Sequence, residues 1–220
     1  EQLDNLYIFK NTEGTPENIR KFHPNIIVSS TGSAPLLPPI AGLKDRIDNE
    51  NHNIYSILGM ISHINDFPKD LEGKKVVVVG GGAVGLDVVE FFADRNADIS
   101  IVEMMDQIGR DLDPVSKNDT KTMMKKHNVH QLTKTALLEV KDSSFLVKGD
   151  GEPYELPFEY GFVCLGMRAQ GQLYQNLTEE FSSEDVEIMN IGDSQRARRI
   201  IDGTQEGRNI LTVLEQKGYL

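Results

Sequence analysis

The chain has 220 residues, a length that allows one large domain or two small ones. Of these residues 39% are hydrophobic and 19 are glycines, a composition that fits an α/β enzyme domain. Its formal net charge of −11 argues against a nucleic-acid surface, which would show a basic patch, and against docking on an anionic membrane. The one cysteine excludes an internal disulfide, C-x-x-C redox chemistry and a cysteine-rich metal or iron–sulfur site within this sequence.

The N-terminal residues and the apolar runs bear on location. The sequence EQLDNLYIFK at the N-terminus is polar and acidic, which does not match a secretory signal peptide. No apolar run in the sequence approaches the length of a membrane span. Together with the single cysteine, these features lead us to expect a protein of the reducing cytoplasm.

The N-terminal part contains three predicted elements and a connector. Leu6–Phe9 is a strand-like apolar run, and a helix is predicted to start with Thr15 as its cap and Pro16 at its first position. Residues 26–30 are typical of a strand that leads into Gly32. The proline-rich stretch 35–42 cannot be a helix or a central strand, so we place a domain boundary there.

A dinucleotide-binding fingerprint follows a run of four valines, residues 76–79. Four β-branched residues in a row favour a strand that is buried on both faces. The first glycine of the fingerprint allows a tight turn, the second lets the backbone approach a pyrophosphate, and the third lets helix and strand pack closely. A helix with free N–H groups facing the phosphates is expected to begin there. The fingerprint comprises Gly80, Gly82, Ala83, Val84 and Gly85.

An acidic residue completes the fingerprint. Residues 99–102 are predicted to form the second strand, which ends at Glu103. A carboxylate at that place accepts hydrogen bonds from the adenosine ribose hydroxyls and repels a 2′-phosphate. The pattern therefore predicts NAD(H) rather than NADP(H).

Helices flank the fingerprint, and strands dominate the sequence beyond it. One helix is predicted around Tyr55–Ile64, and another starts at Asp113, as its cap, and runs to about His127. After that the alternation lacks a helical period and turn residues interrupt it, which predicts an antiparallel meander. The meander strands and later elements are 135–141, 145–148, 153–156, a strand over 160–165 that ends at Gly166, a strand over 186–193, and a helix over 198–216.

Four segments in this order resemble the two-dinucleotide flavoprotein superfamily of pyridine nucleotide-dependent reductases. In that family an inserted NAD domain interrupts a FAD domain. The matching segments are HPNIIVSSTGSAPLLPPIAG, the fingerprint unit from Val76 to Ile108, YGFVCLGMRAQ and NIGDSQRARRIIDGTQEGRNI. By the resemblance, Gly32 and the pair Gly192-Asp193 contact FAD, and Gly166 lies near bound NAD.

Two phrases narrow the resemblance to one branch. Leu165–Arg168, and Gly192-Asp193 followed by Arg198–Gly203, are similar to the C-terminal part of NADH:flavin oxidoreductases related to old yellow enzyme, of the 2-enoate reductase and 2,4-dienoyl-CoA reductase type. In those proteins an FMN barrel and an iron–sulfur centre precede this part. The family's first FAD motif is missing from this sequence. We therefore expect a piece of a longer enzyme that binds FAD weakly or not at all.

Several candidate residues have a second interpretation. Gly32 and Gly166 can be hinge glycines, and Asp193 can simply cap the following helix. Arg198 and Arg199 are either surface charges or contacts to phosphate or flavin.

Other candidates are interpreted as structural. Cys164 lies on an apolar strand and is expected to be an inert small hydrophobe. His127 and His130 lack the H-E-x-x-H spacing, so no metal site is predicted. No side chain is needed as an acid or base for hydride transfer, so we name no catalytic residue.

The predicted fold class is α/β, with a Rossmann-type parallel sheet NAD domain that carries an antiparallel β-meander over 42–168. Residues 1–41 and 169–220 form an incomplete FAD-binding half-domain. The resemblance implies an NADH-binding module that passes hydride to FAD, and in the full enzyme onward to FMN for reduction of an unsaturated substrate. The expected partners are NADH and the remaining domains of the parent enzyme, and the sequence leaves undecided whether the protein forms a homo-oligomer. The alternatives are a FAD-only reductase of the ferredoxin reductase, rubredoxin reductase or NADH oxidase type, and a non-catalytic nucleotide-binding module.

Overall fold

The computed structural model describes residues 4–219, which form seven α-helices and twelve β-strands. The helices are α1 (Pro16–Arg20), α2 (Leu43–Arg46), α3 (Ile57–Ser62), α4 (Ala83–Ala93), α5 (Pro114–Lys126), α6 (Gln172–Glu180) and α7 (Ile200–Gln216). The strands are β1 (Ile26–Ser29), β2 (Ser33–Pro35), β3 (Ile54–Tyr55), β4 (Lys75–Val79), β5 (Asp98–Val102), β6 (His130–Leu132), β7 (Ala136–Val140), β8 (Ser144–Lys148), β9 (Tyr154–Pro157), β10 (Tyr160–Val163), β11 (Met167–Ala169) and β12 (Glu187–Asn190).

The chain divides into two compact units. The larger unit runs from Pro35 to Met167. The smaller unit is made of the chain up to Ala34 and of the chain from Arg168 onward. Strands β2 and β11 pair with each other where the chain passes from one unit to the other.

A five-stranded parallel sheet forms the centre of the larger unit, in the order β3-β10-β4-β5-β6. The valines of β4 lie in the middle of this sheet and are fully or almost fully buried, as predicted for a strand covered on both faces. Helix α4 covers one face, where Phe92 packs against Phe162 of β10 with ring centroids 4.8 Å apart. The antiparallel sheet β7-β8-β9 covers the other face with Val140, Phe145 and Val147. The predicted α/β fold, with its Rossmann-type parallel sheet and meander, is confirmed.

The smaller unit has a core of its own. Strands β1 and β12 form a two-stranded parallel sheet. Ile27 of β1 packs with Leu177 of α6 and with Phe181, while Val28 on the opposite face is exposed. Helix α1 begins where predicted, because the hydroxyl of Thr15 accepts the N–H of Asn18 at 3.3 Å. Within residues 4–219, no helix is both long enough and apolar enough to cross a membrane.

Two sequence predictions differ from the structure. The run Leu6–Phe9 is not a strand, and its side chains are 57–77% exposed. A strand needs a neighbour for its backbone groups, and no described strand pairs with this run. The predicted helix around Tyr55–Ile64 starts as β3 and becomes α3 only at Ile57. The reason is that Ser56 is the N-cap, whose hydroxyl accepts the N–H of Gly59 at 3.1 Å.

Three short elements gave no usable sequence signal. Strand β6 has only three residues, none of them fully buried. Helix α6 has nine residues and buries Leu177 completely, with Leu173 packed beside it, and α2 has only four residues. The helix predicted from residue 198 begins at Ile200, because Asp202 accepts the N–H of Arg199 at 3.1 Å and fixes the start there.

The predicted cap of α5 is confirmed. Asp113 accepts the N–H groups of Val115 and Ser116 at 3.0 and 3.1 Å. The hydroxyl of Ser116, followed by these N–H groups, lowers the pKa of Asp113 below its ordinary value of 3.8. A carboxylate with a lowered pKa stabilises the fold above the ordinary value, and this contribution is lost as the pH falls through the lowered one.

Asp113→Ala is therefore expected to lower the melting temperature by a few degrees at pH 7, with a difference from the unmodified chain that shrinks as the pH drops below 3.8. Thermal unfolding followed by circular dichroism at several pH values measures this. Asp119→Ala, an exposed change on the same helix beyond its first turn, is the control. An equal loss at pH 7 and at pH 3 would contradict the capping role.

Candidate functional site

The glycine turn between β4 and α4 contains glycines of two kinds. Gly80 has a φ of +109°, and a Cβ there would lie 2.2 Å from the carbonyl oxygen of Cys164. A Cβ on Gly85 would lie 1.9 Å from the carbonyl oxygen of Gly80, because α4 packs directly on the turn. At Gly82, apart from its chain neighbours, no heavy atom of residues 4–219 lies within 4 Å of the position of a Cβ. Packing therefore requires Gly80 and Gly85, whereas Gly82 borders open space.

The N-terminus of α4 adjoins this open space. Gly82 is the N-cap residue, with extended backbone and no side chain to cap the helix. Ala83, Val84 and Gly85 occupy the first three helical positions, whose N–H groups have no acceptor inside the helix. Such N–H groups, together with the helix dipole, form a site for an anion.

Glu103 lies beside the turn because β5 neighbours β4 in the sheet. Its carboxylate is half-buried and accepts two backbone N–H groups, from Gly81 at 2.6 Å and from Met105 at 2.7 Å. A Cβ on Gly81 would lie 3.0 Å from the nearer carboxylate oxygen. The side chain is therefore fixed in place, and each oxygen keeps a lone pair that can accept a hydroxyl.

Gly166 and Cys164 follow β10, the other neighbour of β4. Gly166 has a φ of +103°, and its carbonyl accepts the N–H of Leu36 at 2.9 Å. Cys164 is buried, and burial, with a smaller contribution from the charge of Asp87, raises the pKa of its thiol to about 12. A thiol with such a pKa is not a nucleophile at neutral pH, in agreement with the predicted inert role.

The second set of predicted residues meets inside the smaller unit. Gly32 has a φ of +76° and precedes Ser33, whose hydroxyl donates to the Asp193 carboxylate at 3.1 Å. The other oxygen of Asp193 accepts the N–H of Arg198 at 3.1 Å. Asp193 does not cap α7, since the N-cap of that helix is Arg199. Gly32 and the pair Gly192-Asp193 are thus brought together although 160 residues separate Ser33 from Asp193.

The remaining candidates have structural partners. The guanidinium of Arg198 pairs with the carboxylate of Glu206, which raises the pKa of Arg198. The backbone N–H of Arg199 bonds to Asp202 at the start of α7. Across the described residues, 4–219, no group of three or more His, Cys, Asp or Glu side chains is placed to hold a metal ion.

Sequence reasoning missed several residues that touch the predicted site residues, among them Gly81, Ser33 and Glu206. Gly81 donates to Glu103, Ser33 donates to Asp193, and Glu206 accepts from Gly192 at 2.6 Å. The triple glycine at 80–82 was a visible signal for the first. The other two contacts join residues that are not neighbours in the sequence, and no sequence motif predicts them.

The parallel sheet, with a glycine turn and a helix N-terminus at the carboxyl end of its central strand, defines a Rossmann-type dinucleotide-binding domain. Residues 7–189 match the pyridine nucleotide-disulphide oxidoreductase family, and the chain belongs to this family. Proteins of this family are oxidoreductases that bind NAD(H) and FAD.

Curated relatives are longer than this chain. A metal reductase of Desulforamulus reducens is 26% identical over 234 residues, which cover 90% of this chain and 32% of the relative. An NADH oxidase of Thermoanaerobacter brockii is 26% identical over 192 residues, covering 87% and 28%. A solved structure of 2-naphthoyl-CoA reductase with 2-naphthoyl-CoA has a TM-score of 0.73 at 22% identity over 90% of this chain and 28% of that one, and it shows the fold alone. The chain thus spans about a third of the length of these curated relatives.

The residues present fit a dinucleotide at the glycine turn. A side chain at Gly82 would fill the space beside the α4 N-terminus, and that space is open. For FAD the fit is partial. Gly32 and Asp193 lie together in the smaller unit, but the G-x-G-x-x-G fingerprint occurs once in the sequence and belongs to the larger unit.

Proposed function

We propose that the larger unit binds NADH and that the chain is the NADH-binding module of a flavin-dependent oxidoreductase. One observation carries the proposal. The backbone at Gly82 is open next to the first N–H groups of α4, and Glu103 is fixed beside the same turn. An accessible helix N-terminus suits a pyrophosphate, and a fixed carboxylate suits ribose hydroxyls.

Each residue has a binding role in this proposal. Gly80 and Gly85 shape the turn, and Gly82 leaves room for the pyrophosphate. Ala83 and Val84 offer backbone N–H groups, and Glu103 accepts the adenosine ribose hydroxyls. Bound at these residues, NADH would supply a hydride, that is a proton with two electrons, for which a flavin would be the acceptor. The chain's own side chains orient the nucleotide and exchange no proton in that step.

The smaller unit would contribute flavin contacts. Gly32 and the pair Gly192-Asp193 are assigned to FAD, and Gly166, in the larger unit, to the neighbourhood of bound NAD. The hydrogen bond between Ser33 and Asp193 supports the first assignment, because it joins the two segments that the family resemblance assigns to FAD. The domain division that accompanies the proposal is an NAD domain over 42–168 and a FAD half-domain from 1–41 and 169–220.

The full-length enzyme would carry electrons further. We propose that they pass from FAD through an iron–sulfur centre to FMN, where an unsaturated substrate is reduced. The resemblance to the old-yellow-enzyme-related branch supports this, as does the greater length of relatives such as the metal reductase of D. reducens. The NADH oxidase of T. brockii is similarly long, since the match covers 28% of it, and so it does not favour the alternative of a reductase that uses FAD alone.

Calorimetric titration of the purified chain with NADH tests the proposal. Saturable binding is expected. Its absence at millimolar NADH contradicts both proposed enzymes, the one that passes electrons on to FMN and the one that uses FAD alone. Steady-state turnover of the full-length protein with an artificial electron acceptor then separates an enzyme from a non-catalytic nucleotide-binding module.

The purified chain is expected to be colourless. Its proposed flavin contacts address the ribityl chain and ring, whereas the FAD pyrophosphate would lack a strand–turn–helix cradle with convergent N–H groups. Absorbance at 450 nm after purification with added FAD measures the flavin retained. A yellow preparation with about one flavin per chain would refute this expectation.

The exposed sheet of the smaller unit is expected to promote self-association of the purified chain. Among residues 4–219, the sheet of β1 and β12 has two strands, and Val28 on its outer face is 37% exposed. Open strand edges and apolar surface favour pairing between copies. Light scattering across a concentration series measures it, and a monomer at every concentration would contradict it.

A further inference from the structure

One carboxylate fastens the segment that follows β12 to the helix after it. Glu206 lies in the second turn of α7 and reaches back towards the start of the helix. One of its oxygens accepts the N–H of Gly192 at 2.6 Å, and the other pairs with the guanidinium of Arg198. Glu206 therefore holds both ends of the segment from Gly192 to Arg198.

A second carboxylate, that of Asp193, also forms hydrogen bonds that hold this segment. Asp193 accepts the N–H of Arg198 at 3.1 Å with one oxygen and the hydroxyl of Ser33 at 3.1 Å with the other. Arg198 is thus linked to Asp193 through its backbone and to Glu206 through its side chain. The two carboxylates are members of one hydrogen-bonded network.

The helix approaches this segment at very short range. Gly192 has a φ of +65°, a conformation that favours glycine. A Cβ built on Gly203 of α7 would lie 3.5 Å from the Cα of Gly192. The Gly192 backbone therefore rests against the helix on one side and is held by Glu206 through its N–H.

The charge of Glu206 is maintained by its partners. The guanidinium of Arg198, followed by the N–H of Gly192, lowers the pKa of Glu206 below its ordinary value. Both side chains are 27% exposed, so solvent screens the pair only in part. At neutral pH the carboxylate is ionised and makes charge-assisted bonds, which are stronger than neutral ones.

We infer that Glu206 is a positioning residue for flavin binding, which clamps Gly192 and Arg198 so that Asp193 is presented to the ribityl hydroxyls of FAD. The inference rests on the proposed function, which assigns Gly192 and Asp193 to FAD. It adds a residue that touches no cofactor and acts through the backbone of its neighbours. It also assigns Arg198 to the clamp rather than to phosphate.

Amide hydrogen exchange and flavin titration of the whole chain test the clamp. In Glu206→Ala the amide of Gly192 is expected to exchange about tenfold faster or more, because its acceptor is gone. Glu206→Gln keeps an oxygen acceptor but loses the ion pair, so an intermediate rate is expected. Glu215→Gln, an exposed change on the same helix, is the matched control and should leave the rate unchanged.

Fluorescence titration with FAD supplies the second readout. Weak binding by the unmodified chain is expected to fall about tenfold in Glu206→Ala and to recover in part in Glu206→Gln, while NADH affinity stays constant in all variants. An unchanged Gly192 exchange rate, or faster exchange with unchanged FAD affinity, overturns the clamp. If the unmodified chain binds no FAD at millimolar concentration, the titration is carried out on the full-length protein. Absence of FAD binding there overturns the flavin assignment, and the clamp with it, whereas NADH binding is judged separately.

Discussion

Gly82→Val is expected to abolish NADH binding while the chain stays folded. A side chain at this position would occupy the open space beside the N-terminus of α4, which is the place proposed for the pyrophosphate. The backbone of Gly82 is extended, with a φ of −78°, so valine fits without strain. Calorimetric titration should show a loss of at least ~100-fold in affinity, or about 2.8 kcal/mol.

Two other glycines give matched controls. Gly151→Val lies in the turn between β8 and β9, where a Cβ again meets no heavy atom of the described chain within 4 Å, and it should leave NADH affinity unchanged. Gly85→Val should destabilise the fold itself, since its Cβ would collide with the carbonyl of Gly80. Retained NADH affinity in folded Gly82→Val would show that the turn is structural only.

Glu103→Arg is expected to narrow or reverse the proposed preference for NADH over NADPH. The unmodified carboxylate would repel a 2′-phosphate, whereas a guanidinium would attract it. The ratio of the two dissociation constants should change by about tenfold or more, because a charge-assisted contact replaces a repulsive one. Paired titrations with NADH and NADPH measure that ratio.

Glu103 also helps to hold the glycine turn in place, and control variants separate this role from the effect of its charge. Glu103 also accepts the N–H groups of Gly81 and Met105, so arginine removes two hydrogen bonds from the turn. Glu103→Gln removes the charge but keeps an oxygen acceptor, and should weaken the preference with a smaller loss of melting temperature. Glu90→Arg makes the same change of net charge on the exposed side of α4 and should leave the preference intact. Equal or tighter NADPH binding by the unmodified chain would contradict the role of Glu103.

The predictable part of this fold was local in sequence. Four consecutive valines and three glycines at fixed spacing specify a buried strand, a turn and a helix start within ten residues. The position of Glu103 followed because the strand after that helix lies next to β4. The cap at Asp113 was likewise readable, since a cap and its helix are adjacent.

The contacts that sequence reasoning missed are distant or depend on surroundings. Nothing near Ser33 indicates that its hydroxyl bonds to Asp193, 160 residues further on. The run Leu6–Phe9 has the composition of a strand, yet strand formation depends on a neighbour and not on composition alone. The hold of Glu206 on Gly192 depends on how α7 packs, which no single-residue pattern encodes.

The two ends of the larger unit leave it side by side. Leu36, near its start, donates its N–H to the carbonyl of Gly166, near its end, at 2.9 Å. A segment whose ends meet in this way can be inserted into a host chain with little disturbance, because the host needs to bridge only a small gap. The larger unit can therefore be exchanged for another domain in the course of evolution while the smaller unit keeps its structure.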